Sequence, residues 1–200
     1  MASGYTKAVL TPSVLEAENH YYGLTYRSFE DADDIDRLRD EEIEFIESRD
    51  SFYLATVTEN GWPYLQHRGG PSGFLKSLGE NQIGFADYGG NRQMISVGSL
   101  SAGDRISLFL MDYPNRERLK ILGHAKVLDA RDHPDLADAV APPQGHGAKV
   151  ERIFMIDVQS YDWNCPKFIT PRYTREEIEK AVQPLHTRIA ELEAELKNHQ

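Results

Sequence analysis

The sequence predicts a mainly β fold with peripheral helices: an antiparallel sheet of six to seven strands closed into a barrel, followed by a C-terminal helix. Two observations carry this. Short runs rich in β-branched and aromatic residues recur along the middle of the chain, joined by turn residues that bring each strand back beside the last. Too few helices lie between them for a doubly wound parallel sheet, which needs a crossover at almost every step.

In order along the chain, residues 1–30 are polar and aromatic without clear periodicity and read as an extended arm, lying on the domain or partly disordered. From Asp34 to Arg49, Ile35, Leu38, Ile43 and Ile46 sit among acids and arginines, which fits one or two short helices with a solvated face. Ser51–Thr58 and Trp62–Arg68 form a hairpin across Glu59-Asn60-Gly61. Gly69-Gly70-Pro71-Ser72-Gly73 interrupts, and Phe74–Leu78 pairs with Gln82–Ala86 across Gly79-Glu80-Asn81. A helix over Asn91–Leu100 separates these from Arg105–Asp112 and Arg118–Leu128, joined by a Tyr-Pro-Asn turn, and from Val150–Val158. Asp132–Gly147 starts as a helix and ends in Pro142-Pro-Gln-Gly-His-Gly147, a connection able to cover a site or merely to cross the surface. Thr174-Arg-Glu-Glu177 is a capping box, and it opens a segment in which Ile178, Val182, Leu185, Ile189, Leu192 and Leu196 form a heptad stripe. Pro184 is expected to break or kink that helix, and the stripe to pack on the barrel or on a second subunit. The chain thus divides into an arm (1–30), a barrel domain (31–173) and a helical extension (174–200).

With 200 residues, 40% of them hydrophobic, the chain can bury one substantial core. Its net charge of −10 argues against general affinity for nucleic acid or anionic membrane, because both need a cationic face. No apolar run is long enough to span a bilayer and Met1–Leu10 lacks a secretory core, so a cytoplasmic protein is expected. Cys165 is the only cysteine and the seven histidines show no ligand spacing, so no disulfide and no metal site are expected.

Chemistry concentrates in Gln82-Ile-Gly-Phe-Ala-Asp-Tyr-Gly-Gly-Asn-Arg-Gln-Met-Ile-Ser96, read as strand, glycine turn and helix start. Amide N–H groups at a helix start lack intrahelical partners, Asn91 can cap the helix, and Arg92 adds a cationic fork suited to phosphate. The same pattern also serves as ordinary architecture, with Arg92 paired to a surface carboxylate.

Three segments together resemble the pyridoxamine 5'-phosphate oxidase-like family of FMN-binding split barrels: Trp62-Pro-Tyr-Leu-Gln-His-Arg-Gly-Gly-Pro71, Gly84-Phe-Ala-Asp-Tyr-Gly-Gly-Asn-Arg-Gln93 and Arg118-Leu-Lys-Ile-Leu-Gly-His-Ala125. The resemblance covers about residues 40–173 and is to the wider family, since the Arg-Leu-His-Asp-Arg pattern serving the vitamin substrate of the oxidase itself is missing. It implies an FMN-binding homodimer with the flavin at the subunit interface. Gly90-Asn91-Arg92-Gln93 matches the family's Gly-Ser-Arg-Lys phosphate segment, with Gln93 in place of a cation. Ala86-Asp87 stands where the family often has Tyr-Thr, and Asp87 is expected to orient Arg92 or meet another part of the ligand; Tyr88 and Ser96 fall in the same segment. Lys76 matches a family strand ending in Leu-Lys. The family's arginine corresponds to Arg68 with an insertion or to Pro71 without one, and Arg68, beside His67, is the one able to supply charge. Arg118 occupies the position of a family glutamine near the flavin pyrimidine edge. Trp163 and Arg172 match a tryptophan and an arginine that reach the flavin across the dimer.

The resemblance therefore implies an oxidoreductase acting through FMN on an unidentified small molecule. It leaves open a non-catalytic flavin-binding sensor or interaction module, and a split barrel using haem or a deazaflavin.

Overall fold

The fold is known from a computed structural model that describes residues 3–24, 33–90, 92–141 and 149–198. The chain forms two compact units, the first of Met1–Met111 and Arg118–Cys165, the second of Asp112–Glu117 and Pro166–Gln200.

Seven strands form one antiparallel sheet: β1 (Ser51–Val57), β2 (Pro63–Gly69), β3 (Leu75–Gly79), β4 (Gln82–Tyr88), β5 (Arg105–Asp112), β6 (Glu117–Asp129) and β7 (Val150–Trp163). Their spatial order is β2-β1-β5-β6-β7-β4-β3. Although three strands separate β1 from β4 in that order, Phe52 of β1 meets Phe85 of β4 edge to face at 5.3 Å, so the sheet curls on itself. Inward-pointing Phe52, Leu54, Ile83, Phe85, Leu108, Phe154 and Ile156 fill the interior. This is the mainly β split barrel expected.

Alternation on each strand makes this core, because side chains two apart share a face. On β4, Ile83 and Phe85 point inward, and on β7 Ile156 and Phe154 do, with Phe85 registered opposite Phe154. Ala86, Ile153 and Met155 point the other way, into a second cluster with Val140 of helix α5 (Pro134–Val140).

The helices depart from expectation in three places. Residues near the N-terminus are helical, α1 (Ser3–Val9) and α2 (Pro12–Tyr22), instead of extended. Pro12 at the first turn and left-handed Gly23 at the C-cap are start and stop signals that outweigh the missing apolar periodicity. Helix α4 runs Ile95–Ala102, not from Asn91: Arg92 and Met94 have φ of 61° and 56°, left-handed values that postpone the helix. Helix α3 (Asp40–Ser48) lies within the expected segment, and Glu42 closes its first turn by accepting from the Arg39 amide at 3.0 Å.

In the second unit, Thr174 and Glu177 form the expected capping box, with the Thr174 amide donating to Glu177 at 2.7 Å and the Glu177 amide to Thr174 Oγ1 at 3.2 Å. Helix α6 (Arg175–Asn198) then runs unbroken through Pro184. No helix among the described residues is long and apolar enough to cross a membrane.

Candidate functional site

The inward faces of three strands change from apolar to charged at one end of the barrel. Two residues beyond Phe85, β4 carries Asp87; two residues before Phe154, β7 carries Arg152, registered directly opposite Asp87. On β2, Tyr64, Gln66 and Arg68 share one half-buried face. These residues, with Tyr88, Gly90, Arg92, Gln93, Met94 and the first turn of α4, line a cleft of about 200 Å³.

Asp87 is the hub. Its side chain is 9% exposed, and its two oxygens accept from Arg68 Nη1 and Arg152 Nε, each at 2.7 Å. Short N–H···O contacts between full charges are the strong class of hydrogen bond. Because β2 is one edge of the sheet and β4 lies next to the other, the Arg68–Asp87 pair bridges the split of the barrel. Arg68 also lies over two stacked rings, 5.1 Å from the centroid of Phe154 and 5.7 Å from that of Phe85. Its Nε is buried with no hydrogen-bond partner among the described residues. Arg152 is further held by Glu151 at 2.9 Å.

Three arginines, Arg68, Arg92 and Arg152, thus line the cleft with Asp87 the one carboxylate among its lining residues, an excess of positive charge in a chain of net charge −10. Arg92 is exposed and forms no ion pair among the described residues. Ile95, Ser96 and Val97, the first turn of α4, bring the positive end of that helix to the same wall. The Ser96 hydroxyl donates to Gln66 Oε1 at 2.8 Å and ties that helix tip to β2. Burial pushes the Tyr88 hydroxyl above its ordinary pKa, so at neutral pH it is a phenol able to donate.

A second depression of about 280 Å³ adjoins the first, sharing Arg68, Asp87, Tyr88 and Gly90. His67, Gly69, Gly70, Pro71 and Phe74 form its other wall. His67 points to the face of β2 opposite Arg68 and meets Tyr53 edge to face at 5.6 Å.

The cleft therefore brings together Arg68, Asp87, Tyr88, Arg92, Gln93 and Ser96, with His67 next door. Asp87 engages Arg68 and Arg152, not Arg92 as expected from sequence, because its inward position on β4 faces the β7 register partner. Lys76 is used elsewhere: its ammonium donates to the carbonyls of Ala139 and Ala141 at 3.0 and 2.6 Å, at the negative end of α5. Arg118 donates to the Asn164 side-chain oxygen at 2.5 and 2.6 Å, with that amide oriented to satisfy both groups. Trp163 gives its indole N–H to buried Glu42 at 2.8 Å and packs edge to face on Phe45. Arg172 belongs to the second unit, where its guanidinium lies over the Tyr113 ring at 4.9 Å. Asn91, and the Pro142–Gly147 connection, lie outside the described residues.

Tyr64, Gln66 and Arg152 were not foreseen. The first two could have been, since they precede Arg68 by four and two positions on one strand face. Arg152 has no local signal; only the pairing of β4 with β7 sets it against Asp87.

Residues 38–162, well over half the chain and nearly the whole sheet, match the family described as pyridoxamine 5'-phosphate oxidase. The chain belongs to the pyridoxamine 5'-phosphate oxidase family. Solved structures agree on the fold. HupZ from Group A Streptococcus is 13% identical with a TM-score of 0.50, over 63% of this chain and 98% of that one. A conserved hypothetical protein from Mycobacterium tuberculosis is 15% identical with a TM-score of 0.50, over 68% and 91%. No match was found among curated protein sequences. Within the family fold, the cleft sits where β2, β4 and β7 converge on the tip of α4.

Proposed function

We propose that this chain is an FMN-binding flavoprotein and an oxidoreductase acting on a small molecule. The observation that carries the reading is the gathering of Arg68, Arg92 and Arg152 along one cleft, with Asp87 the only carboxylate lining it, in an otherwise acidic protein. Such a cleft suits a ligand with a compact anionic end.

The residues fit the cofactor that the family implies. Arg92, Gln93 and the α4 amides would hold the phosphate, and the buried, unpartnered Nε of Arg68 is a further donor at the same wall. Each depression alone is smaller than a usual ligand pocket, but the two adjoin, and Gly90, which both share and at which a side chain would meet no neighbour, leaves room there for a flat ring. Bound flavin supplies hydride or electron transfer. The protein's share is positioning: Asp87 fixes Arg68 and Arg152 before any ligand arrives, and Tyr88 offers a protonated hydroxyl. His67 adds an imidazole at the adjoining depression.

We place the site in a homodimer. The outward side chains of the β1–β2 hairpin include Val57, Leu65 and Trp62, 52%, 63% and 74% exposed, and an apolar patch of that kind suits a second subunit. Titration of the purified protein with FMN, followed by quenching of flavin fluorescence, should show saturable binding, with light scattering giving twice the chain mass. Arg92→Ala should weaken binding by about 10- to 100-fold, as for loss of a charge-assisted contact. Absence of binding, or unchanged affinity in Arg92→Ala, would remove this reading.

A further inference from the structure

Helix α6 carries no buried residue, yet six apolar side chains recur along it at spacings of four and three. Leu185 and Leu196 are 62% and 65% exposed. A helix with Pro184 in its interior and an unburied stripe has little to hold it in isolation, because helices in water draw most of their stability from packing that stripe.

The stripe also specifies a geometry. In heptad notation Val182, Ile189 and Leu196 take the a positions, and Ile178, Leu185 and Leu192 the d positions. Mostly β-branched residues at a with mostly leucine at d favour two parallel strands. Pro184 then falls at c, on the side away from the seam. Arg188 falls at g and Glu193 at the following e. In a parallel, in-register pair, g of one helix faces the next e of the other, so Arg188 of each copy meets Glu193 of the partner subunit, twice by symmetry. Arg188 holds Glu191 within its own helix at 2.9 Å, but both groups are more than half exposed and such a pair is weak competition.

We infer that α6 pairs with α6 of a second copy of this chain as a parallel two-stranded coiled coil, an interaction surface separate from the ligand cleft. The second copy is the occupant because the charges flanking the stripe are complementary to themselves in that register.

The test uses the full chain with Cys165→Ser, which removes the exposed native thiol. Leu185→Cys and Leu192→Cys are introduced separately, with Ala194→Cys at the outward f position as control. Under mild oxidation both d-position variants should run mostly as disulfide-linked two-chain species and Ala194→Cys mostly as single chains, since only parallel d positions bring like residues within disulfide reach. Arg188→Glu added to Leu192→Cys should lower the linked fraction, and Glu193→Arg on the same chain should restore it. That restoration does not come from within one helix, where residues five apart are not neighbours. Linking no greater at either d position than at Ala194→Cys overturns the inference, whether the stripe then packs on its own chain or on a foreign protein. Linking at only one d position, as an antiparallel pair would give, overturns it too.

Discussion

Asp87 decides how the cleft behaves at the level of single side chains. Its charge is shared between two guanidinium groups that would otherwise repel each other in a half-buried setting. Asp87→Asn should therefore destabilise the protein by about 1–3 kcal/mol, because it leaves Arg68 with a neutral partner and Arg152 with Glu151 as its remaining carboxylate. The same change makes the cleft more positive. Inorganic phosphate should raise the melting temperature of Asp87→Asn more than that of the wild type, read by thermal denaturation with and without the anion. Equal shifts would mean that the charge of Asp87 does not weigh on an anion in this cleft. A second residue, Tyr161, links stability to pH. It is 6% exposed, and its pKa is pushed up to about 12, first by burial and then by the charge of Glu42 nearby. In the unfolded chain a tyrosine ionises near pH 10, so the folded state keeps a proton that the unfolded state loses. The contribution of Tyr161 is thus fully present below pH 10 and disappears as pH rises toward about 12. Its size is about 2–3 kcal/mol. Urea unfolding between pH 9 and 11.5 should show a shallower alkaline decline for Tyr161→Phe than for the wild type; parallel declines would show that this hydroxyl is not the linked group.

Among the elements, the β6–β7 pairing shows how one irregularity organises its neighbours. The register passes from Leu122 opposite Ser160 to Gly123 opposite Val158, so Gln159 is left as a bulge. Its carbonyl accepts from the Asp36 amide at 3.0 Å and its side-chain amide donates to the Asp34 carbonyl. Asp36 in turn accepts from the amides of Gly4 and Tyr5 at 3.0 and 2.9 Å, at the positive end of α1. A Cβ at Gly123 would stand 2.7 Å from the Asp157 carbonyl oxygen, a backbone atom with little room to yield. Gly123→Ala should cost about 1–3 kcal/mol and lower the melting temperature. Hydrogen exchange at Gly4 and Tyr5 should also quicken, because the anchor of α1 hangs on this bulge; unchanged exchange there would separate the two. Such long-range ties explain what the sequence could and could not disclose. Strand positions were legible because alternation is local, as in Ser51–Val57, and the Thr174 capping box was legible for the same reason. Helix α4 starts at Ile95 because of left-handed turns at Arg92 and Met94, which residue type does not announce. Arg92 and Arg68 could be chosen from motif and charge, whereas Arg152 needed a partner strand some sixty residues away, and Trp163 was claimed by Glu42, more than a hundred residues earlier.

For the molecule as a whole, charge works in two opposed directions. The chain is acidic on balance, with a net charge of −10, while the cleft gathers Arg68, Arg92 and Arg152. On that balance an approaching phosphate is expected to be repelled at long range and attracted only at contact. Salt separates the two effects, since the screening length falls from about 30 Å at 0.01 M to about 8 Å at 0.15 M ionic strength. Long-range repulsion is thereby lost, whereas contacts at hydrogen-bond distance in a half-buried cleft persist. For FMN, the ligand proposed above, the association rate constant should accordingly rise or hold steady as salt increases over that range, the opposite of the steep fall seen when a cationic surface steers its ligand. Stopped-flow quenching of flavin fluorescence measures this directly. A steep fall would show that the arginines project their field well beyond the cleft mouth, and that the acidic remainder of the chain has little influence on ligand capture.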